Sequence, residues 1–274
     1  MNEFDEILRS PVSRRAFVQR MGAAGLGVAA TSLLGGTLLT GCNGGSSNGV
    51  PGPAANTYPA NFGSGDIRIL NYALTLEILE ADLYRQALNV AAGRPIGNAL
   101  VPIAQARATY GNAAAIGAGG LSGQLAAAGF LYLLQFAYVE AAHRDFLRVA
   151  IQANGGTPVA PNPGGYRFPG GNPGSNLKTI LQNIVPLEET GVRAYLGAVP
   201  DFSNANFLQV AGTIYSTEAR HSASLRYILD PNDPGPSRML NDREVTSRPP
   251  SVETFEKLLQ VQEVLNIAGG TYFA

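Results

Sequence analysis

The sequence predicts an all-α protein: a four-helix bundle with one long crossover between its second and third helices, preceded by an N-terminal signal segment. Three observations point there. Four segments of the 274-residue chain carry apolar residues at helical spacing. A tract dominated by Gly and Pro separates the second segment from the third. No segment reads clearly as a strand pair. Hydrophobic residues make up 45% of the chain and charged ones 14%, which allows a sizeable core. The net charge of −1, with no basic block, argues against nucleic acid as a partner.

Residues 1–42 read as an export signal rather than as part of the fold. Ser13-Arg14-Arg15-Ala16-Phe17-Val18 precedes a weakly apolar run from Met21 to Gly41, a charged region followed by an apolar one. The paired arginines, with Phe17 two residues on, resemble the twin-arginine export motif. Leu39-Thr40-Gly41-Cys42 resembles a lipobox, in which Cys42 is lipidated and anchors the mature protein to a membrane. Cys42 is the one cysteine, so no disulfide forms within the chain. A short transmembrane anchor is the competing reading, and the run's Gly content argues against it. Residues 43–66, rich in Asn, Gly, Ser, Pro and Ala, read as a flexible tether.

The bundle is expected over residues 67–230. Asp66 is a plausible N-cap, and Ile67 to Val90 contains neither Pro nor Gly. Leu70, Ala73, Leu74, Glu77, Ala81, Tyr84 and Leu88 share one face, so Glu77 interrupts an apolar stripe. Residues 92–120 are broken by Gly and Pro into short pieces. The second helix, about Ser122 to Ala153, aligns Leu133, Phe136, Ala137, Glu140, His143, Arg144 and Leu147. The tract Asn154 to Ser175 has 22 residues, which extended reach roughly 70 Å. A ~25-residue helix is only about 38 Å long, so the tract crosses the bundle and starts a helix parallel to the one before.

The third helix, about Asn176 to Ala198, brings Leu181, Ile184, Val185, Glu188, Val192, Tyr195 and Leu196 together. Pro186 predicts a kink or bulge near Glu188. The fourth, about Asn204 to Leu229, aligns Ala211, Ile214, Tyr215, Glu218, His221 and Leu225. Residues 231–274 form a tail, with a short amphipathic helix expected from Pro250 to Leu265.

The chain has two histidines, and each lies three residues after a glutamate: Glu140-Ala-Ala-His143 and Glu218-Ala-Arg-His221. Only 12 of 274 residues are Glu, so chance would rarely place one there twice. Three residues apart on a helix, the two side chains share a face and can reach one metal ion, or bind one and bridge to a second. Glu77 and Glu188, from the first and third helices, complete the set. Their competitors are Glu80 and Glu189. Tyr84 lies seven residues after Glu77 and Tyr195 seven after Glu188, a regularity the competitors lack. Glu189 shares its face with Gln182 and Arg193, which reads as the wetter side. A small rotation of the first helix would exchange Glu77 for Glu80.

One Glu from each of two helices and Glu-x-x-His from the other two is the ligand pattern of di-iron and di-manganese carboxylate bundles. Four buried carboxylates carry −4 and two divalent ions +4; uncompensated, each carboxylate would cost several kcal/mol to bury or would take up a proton. A blander reading has the glutamates in solvent or in local pairs, as Arg144 at i+4 from Glu140 would allow. An intermediate one has a metal site that no longer turns over.

With Leu70-Asn71 upstream of Glu77 and Leu187-Glu188-Glu189-Thr190-Gly191-Val192, residues 66–230 resemble the ferritin-like superfamily, and within it the exported branch that includes desiccation-related proteins. The resemblance implies Glu77 and Glu188 as terminal ligands, Glu140 and Glu218 as bridging ligands, and His143 and His221 as one nitrogen ligand each. It implies Tyr84 and Tyr195 as hydrogen-bond partners of the ligands, and two iron or manganese ions as cofactors. Such an exported member would handle oxygen or peroxide or oxidise ferrous iron, and would assemble as a homo-oligomer. The alternative is a non-enzymatic stress or desiccation scaffold with a structural or vestigial metal site. Val139 and Thr217, just before Glu140 and Glu218, are not acidic, which leaves the histidines without an evident orienting partner.

Overall fold

A computed structural model of the chain describes residues 56–232 and 258–274. The expected signal segment, the lipobox and residues 43–55 of the expected tether lie outside these, as do residues 233–257. Six α-helices are present among the described residues: α1 (Gly65–Ala91), α2 (Ala106–Tyr110), α3 (Gly123–Ala153), α4 (Leu177–Ala198), α5 (Ala205–Leu229) and α6 (Val261–Thr271). Four of them, α1, α3, α4 and α5, build the bundle. The closest pairs are α1 with α3 and α4 with α5, and α3–α5 and α1–α4 contacts join the two pairs.

Local chemistry starts the helices. Ser122 accepts from the Leu125 amide ahead of α3, and Asn204 accepts from the Asn206 amide ahead of α5. Asn176 and Thr179 cap α4 reciprocally, satisfying two amides that a helix start leaves bare. α4 runs unbroken through Pro186. Asp66 is not the cap expected of it: it lies in the first turn of α1, which begins after Ser64. Its carboxylate instead accepts from the Ser203 and Asn204 amides at 2.9 and 2.7 Å, tying α1 to the α4–α5 connection.

The crossover does cross the whole bundle, and hydrogen bonds trace it along α1. At one end Asn71 donates to the Thr157 carbonyl and accepts from the Val159 amide. Fifteen residues further along α1, a rise of about 22 Å, Gln86 donates to the Tyr166 carbonyl. At the far end the Leu177 amide bonds Gly117. α4 therefore starts beside the start of α3 and runs parallel to it. Buried Asn71, Gln86 and Asn89 are the polar residues that the long connections require, because loop carbonyls laid on a helix need donors.

Residues 56–64, expected as tether, are held by the bundle. Asn56 and Tyr58 both donate to the Asp201 carboxylate at 2.6 Å, and Phe62 is buried. Of the expected tail helix, residues 250–257 lie outside the described residues; within them a helix runs from Val261 to Thr271, past the expected end at Leu265. Gln260 and Glu263 form a capping box that sets its start, and Val261, Val264 and Ala268 bury its inner face. Gly197 of α4 is the seat for the tail's approach: a Cβ there would lie 1.8 Å from the Leu259 carbonyl oxygen. Among the described residues α3 alone is long and apolar enough to cross a membrane by length and composition. In the bundle it turns Leu133, Phe136, Ala137, Glu140, Leu147 and Ile151 inward.

Candidate metal centre

Each bundle helix contributes at mid-length. α1 brings Glu77, α3 brings Glu140 and His143, α4 brings Glu188, and α5 brings Glu218 and His221. The four carboxylates are fully buried, and His221 is 4% exposed. Two sets form: Glu77, Glu140, His143 and Glu218, and Glu140, Glu188, Glu218 and His221. Within each, one potential ligand atom per residue lies within 4.8 Å of all the others. Glu140 and Glu218 belong to both sets. The structure thus assembles all six residues singled out in the sequence, as two half-sites sharing two carboxylates.

The contacts follow the same division. His143 Nδ1 lies 3.1 Å from Glu140, 3.3 Å from Glu218 and 3.4 Å from Glu77. His221 Nδ1 lies 2.9 Å from Glu140 and 3.5 Å from Glu188. Yet these approaches to Glu77 Oε2, Glu140 Oε1, Glu188 Oε2 and Glu218 Oε1 lack hydrogen-bond geometry, and Glu218 Oε2 has no approach from either ring. Orphaned buried acceptors converging on one place carry a desolvation cost of about 1–3 kcal/mol each, which cations coordinated there would remove. The donor set, nitrogen plus carboxylate oxygen, suits iron or manganese.

The two tyrosines cross over. Tyr84 follows Glu77 on α1 but donates to Glu188, and Tyr195 follows Glu188 on α4 but donates to Glu77 at 2.7 Å. The +7 spacing is therefore the trace of a pseudo-twofold arrangement, in which each helix supplies one carboxylate and orients the other's. Replacing Tyr84 by Phe should weaken the half-site of Glu188, and Tyr195→Phe that of Glu77, each roughly tenfold. Metal titration of the two variants checks it; loss on the same half in both would break the crossed assignment.

Charge in the cluster is balanced by protons when no cation is bound. Burial, then the charges of Glu140 and Glu188, push the Glu218 carboxyl well up. Burial likewise raises Glu77, against the nearby imidazole of His143. Burial opposes the charge on His221, but Glu188 and Glu140 outweigh it and raise its pKa from 6.5 to about 10. His143 rises for the same reason, with Glu77 and Glu140 as its partners. Glu140 goes the other way: burial would raise it, but the two imidazoles hold it low. Groups raised by folding contribute stability that is lost as pH rises through the folded pKa. The metal-free protein should therefore melt at progressively lower temperature as pH rises from 6.5 toward about 10, with bound divalent metal flattening the slope. A melting temperature that climbs over that window in chelator would contradict this charge assignment.

Several features escaped the sequence. Phe136, one turn before Glu140, stacks on His221 with ring centroids 3.7 Å apart, which supplies for His221 the orientation that Thr217 leaves unexplained. Arg144 does not pair with Glu140; it bonds neighbouring Asp145 at 2.8 Å. Glu189 is not on a wet face. It is 6% exposed and accepts from Ser222, from Arg226 at 3.3 Å and from Arg193 at 3.2 Å, in a network between α4 and α5. Arg193 at i+4 is the signal present in the sequence, and it marks a buried ion pair rather than solvent. Glu80 is buried too, 4% exposed, and belongs to neither four-residue set. Burial, then Glu218 and Glu77, push its pKa well up. It has room because Gly191 faces it: a Cβ at Gly191 would stand 3.3 Å from both Glu80 Oε1 and Glu218 Oε2. The position equivalent to Glu80 on α4, three after Glu188, is that glycine, so the pseudo-symmetry breaks there.

Comparison with curated proteins gives no match. Residues 65–231, which span all four bundle helices and all six cluster residues, match the ferritin-like domain. Fold, crossover and buried carboxylate–histidine cluster agree with that match, and the chain belongs to the ferritin-like domain family.

Proposed function

We propose that this chain is an exported two-metal carboxylate protein that binds iron or manganese and uses it to oxidise ferrous iron or to handle oxygen or peroxide. The observation that carries the proposal is the pair of like ligand sets sharing Glu140 and Glu218. In it Glu77 and His143 complete one position and Glu188 and His221 the other, with Glu140 and Glu218 bridging. Iron or manganese bound there supplies the electrons for reducing oxygen or peroxide. The protein's part is positional. Tyr84 and Tyr195 hold the terminal carboxylates, and Phe136 holds the His221 ring. The four carboxylates are sealed from solvent, while the His143 side chain is 15% exposed, so a small reactant reaches the centre from the His143 edge.

Export and a lipid anchor at Cys42 belong to the proposal, on the strength of Arg14-Arg15 and Leu39 to Cys42. Arg14→Lys combined with Arg15→Lys should keep the protein in the cytoplasm; normal export of that variant would remove this part of the reading. The function itself is tested by loading the protein with ferrous iron, adding oxygen or peroxide, and following the iron absorption band and reactant consumption. Multiple turnovers that vanish in His143→Ala and His221→Ala support it. Full metal loading without turnover leaves a structural metal in a stress or desiccation scaffold.

A further inference from the structure

The connection between α1 and α3 carries an apolar loop with side chains left in solvent. From Pro95 to Ala104 the one polar side chain is Asn98, and none is charged. Ile96 is 38% exposed and Ile103 44%, with Pro95, Ala99, Pro102 and Ala104 exposed beside them. The main chain of the loop is held from inside. Arg85 of α1 donates to the Ile96 and Asn98 carbonyls, both at 2.7 Å, and Asn89 donates to the Asn98 carbonyl at 2.7 Å. Tyr138 of α3 donates to the Val101 carbonyl at 2.7 Å, and the Tyr110 hydroxyl accepts from the Val101 amide at 3.3 Å. These polar groups of the loop are therefore satisfied within the protein, while the two isoleucines are held outward. Aliphatic surface fixed in water adds nothing to the stability of the fold itself, and gains when an apolar phase covers it.

Charge around the loop has one sign. From Leu83 to Val139 there is no Asp or Glu, and the charged residues are Arg85, Arg94 and Arg107. Asp82, which borders the stretch, is paired with Arg85 at 2.7 Å. Asp145 of α3 lies about two turns beyond Tyr138 and pairs with Arg144 at 2.8 Å. Arg94, over the Tyr110 ring, and exposed Arg107 flank the apolar run. We propose that this loop is a membrane contact, in which Ile96 and Ile103 enter the outer acyl region of a bilayer and Arg94 and Arg107 meet anionic phospholipid headgroups. A protein partner would be met by aromatic anchors and by open hydrogen-bonding groups. The loop instead offers aliphatic side chains over a main chain already bonded, which is what hydrocarbon accepts. The contact depends neither on the metal reading nor on the lipid anchor proposed at Cys42.

The chain has no tryptophan, so one placed in the loop reports that site alone. Full-length Ile96→Trp and Ile103→Trp, shown to be folded by circular dichroism, are mixed with vesicles of phosphatidylcholine and phosphatidylglycerol, with and without bromine on the acyl chains. Emission is read on the vesicle-bound fraction after flotation, so that an anchor elsewhere in the chain does not decide the result. Both loop tryptophans should shift to the blue and lose most of their emission to the brominated chains. Tyr227→Trp, at a 58% exposed position of α5, should keep its emission. The loss at Ile103→Trp should shrink on phosphatidylcholine alone, and on adding Arg107→Gln. Bound protein with unquenched loop tryptophans, quenching no greater than that of Tyr227→Trp, or no binding to the vesicles at all would overturn the proposal. Quenching unchanged on neutral lipid and by Arg107→Gln would overturn its headgroup half. Loop tryptophans already blue-shifted without vesicles, in a dimer by sedimentation, would overturn it in favour of a second copy of the chain.

Discussion

Glu218→Gln should abolish metal binding at both positions. Glu218 belongs to both ligand sets, both of its oxygens lack hydrogen-bond partners, and Gln brings neither the charge nor the second oxygen that bridging needs. The loss in affinity should exceed the roughly 10–100-fold that removing a ligand's outer partner costs. Glu188→Gln should instead empty one position and leave the other, since Glu188 belongs to one set only. Stability without metal should move the opposite way. Burial pushes the Glu218 carboxyl up, so the charged form is costly in the fold, and a neutral amide of the same shape should melt at the same temperature or higher. Metal titration and melting in chelator, on the same two variants, check both halves of this expectation. Equal metal content in Glu218→Gln and the unaltered protein would remove the bridging assignment.

Glu189→Ala should do the reverse: keep the metal and lose the fold's stability. Its carboxylate accepts from Ser222, Arg226 and Arg193, and the side chain is 8% exposed. Removing one member of a buried ion network leaves the others uncompensated, a cost of about 3–5 kcal/mol. Arg193 and Arg226 have further interactions, so the lower figure is the better expectation. Chemical denaturation should show the loss, while titration should return unaltered stoichiometry. A Glu189 variant that keeps its stability but loses metal would mean that the neighbouring glutamates exchange roles.

The contrast between Glu188 and Glu189 shows where sequence is legible. Periodicity depends on which face is apolar, and the helices and the long crossover follow from it closely. The two Glu-x-x-His pairs and the +7 tyrosines are also periodic, and they mark all six residues that cluster. What periodicity does not carry is what a polar residue meets across a helix interface. Gln182 and Arg193 suggest solvent beside Glu189, but Ser222 and Arg226 arrive from α5, far away in sequence. Asp66 reads as a cap because it precedes an apolar run, yet its partners are Ser203 and Asn204. Residues 56–64 read as tether from composition, though Asp201 anchors them. In each case the deciding contact spans more than a hundred residues or a full helix interface, or follows from the return of the tail. The Phe136 stack on His221 is of the same kind: both residues sit in recognisable helices, but the α3–α5 packing alone brings the rings together.

The two-metal centre proposed for Glu77, Glu140, His143, Glu188, Glu218 and His221 has a direct test. Elemental analysis of protein produced in its native host tests it most directly, run beside His143→Ala and His221→Ala. About two transition-metal ions per chain are expected, falling toward one in either histidine variant with the helices intact. Folded native protein carrying no transition metal, or carrying the same amount after both histidines are removed, would contradict it.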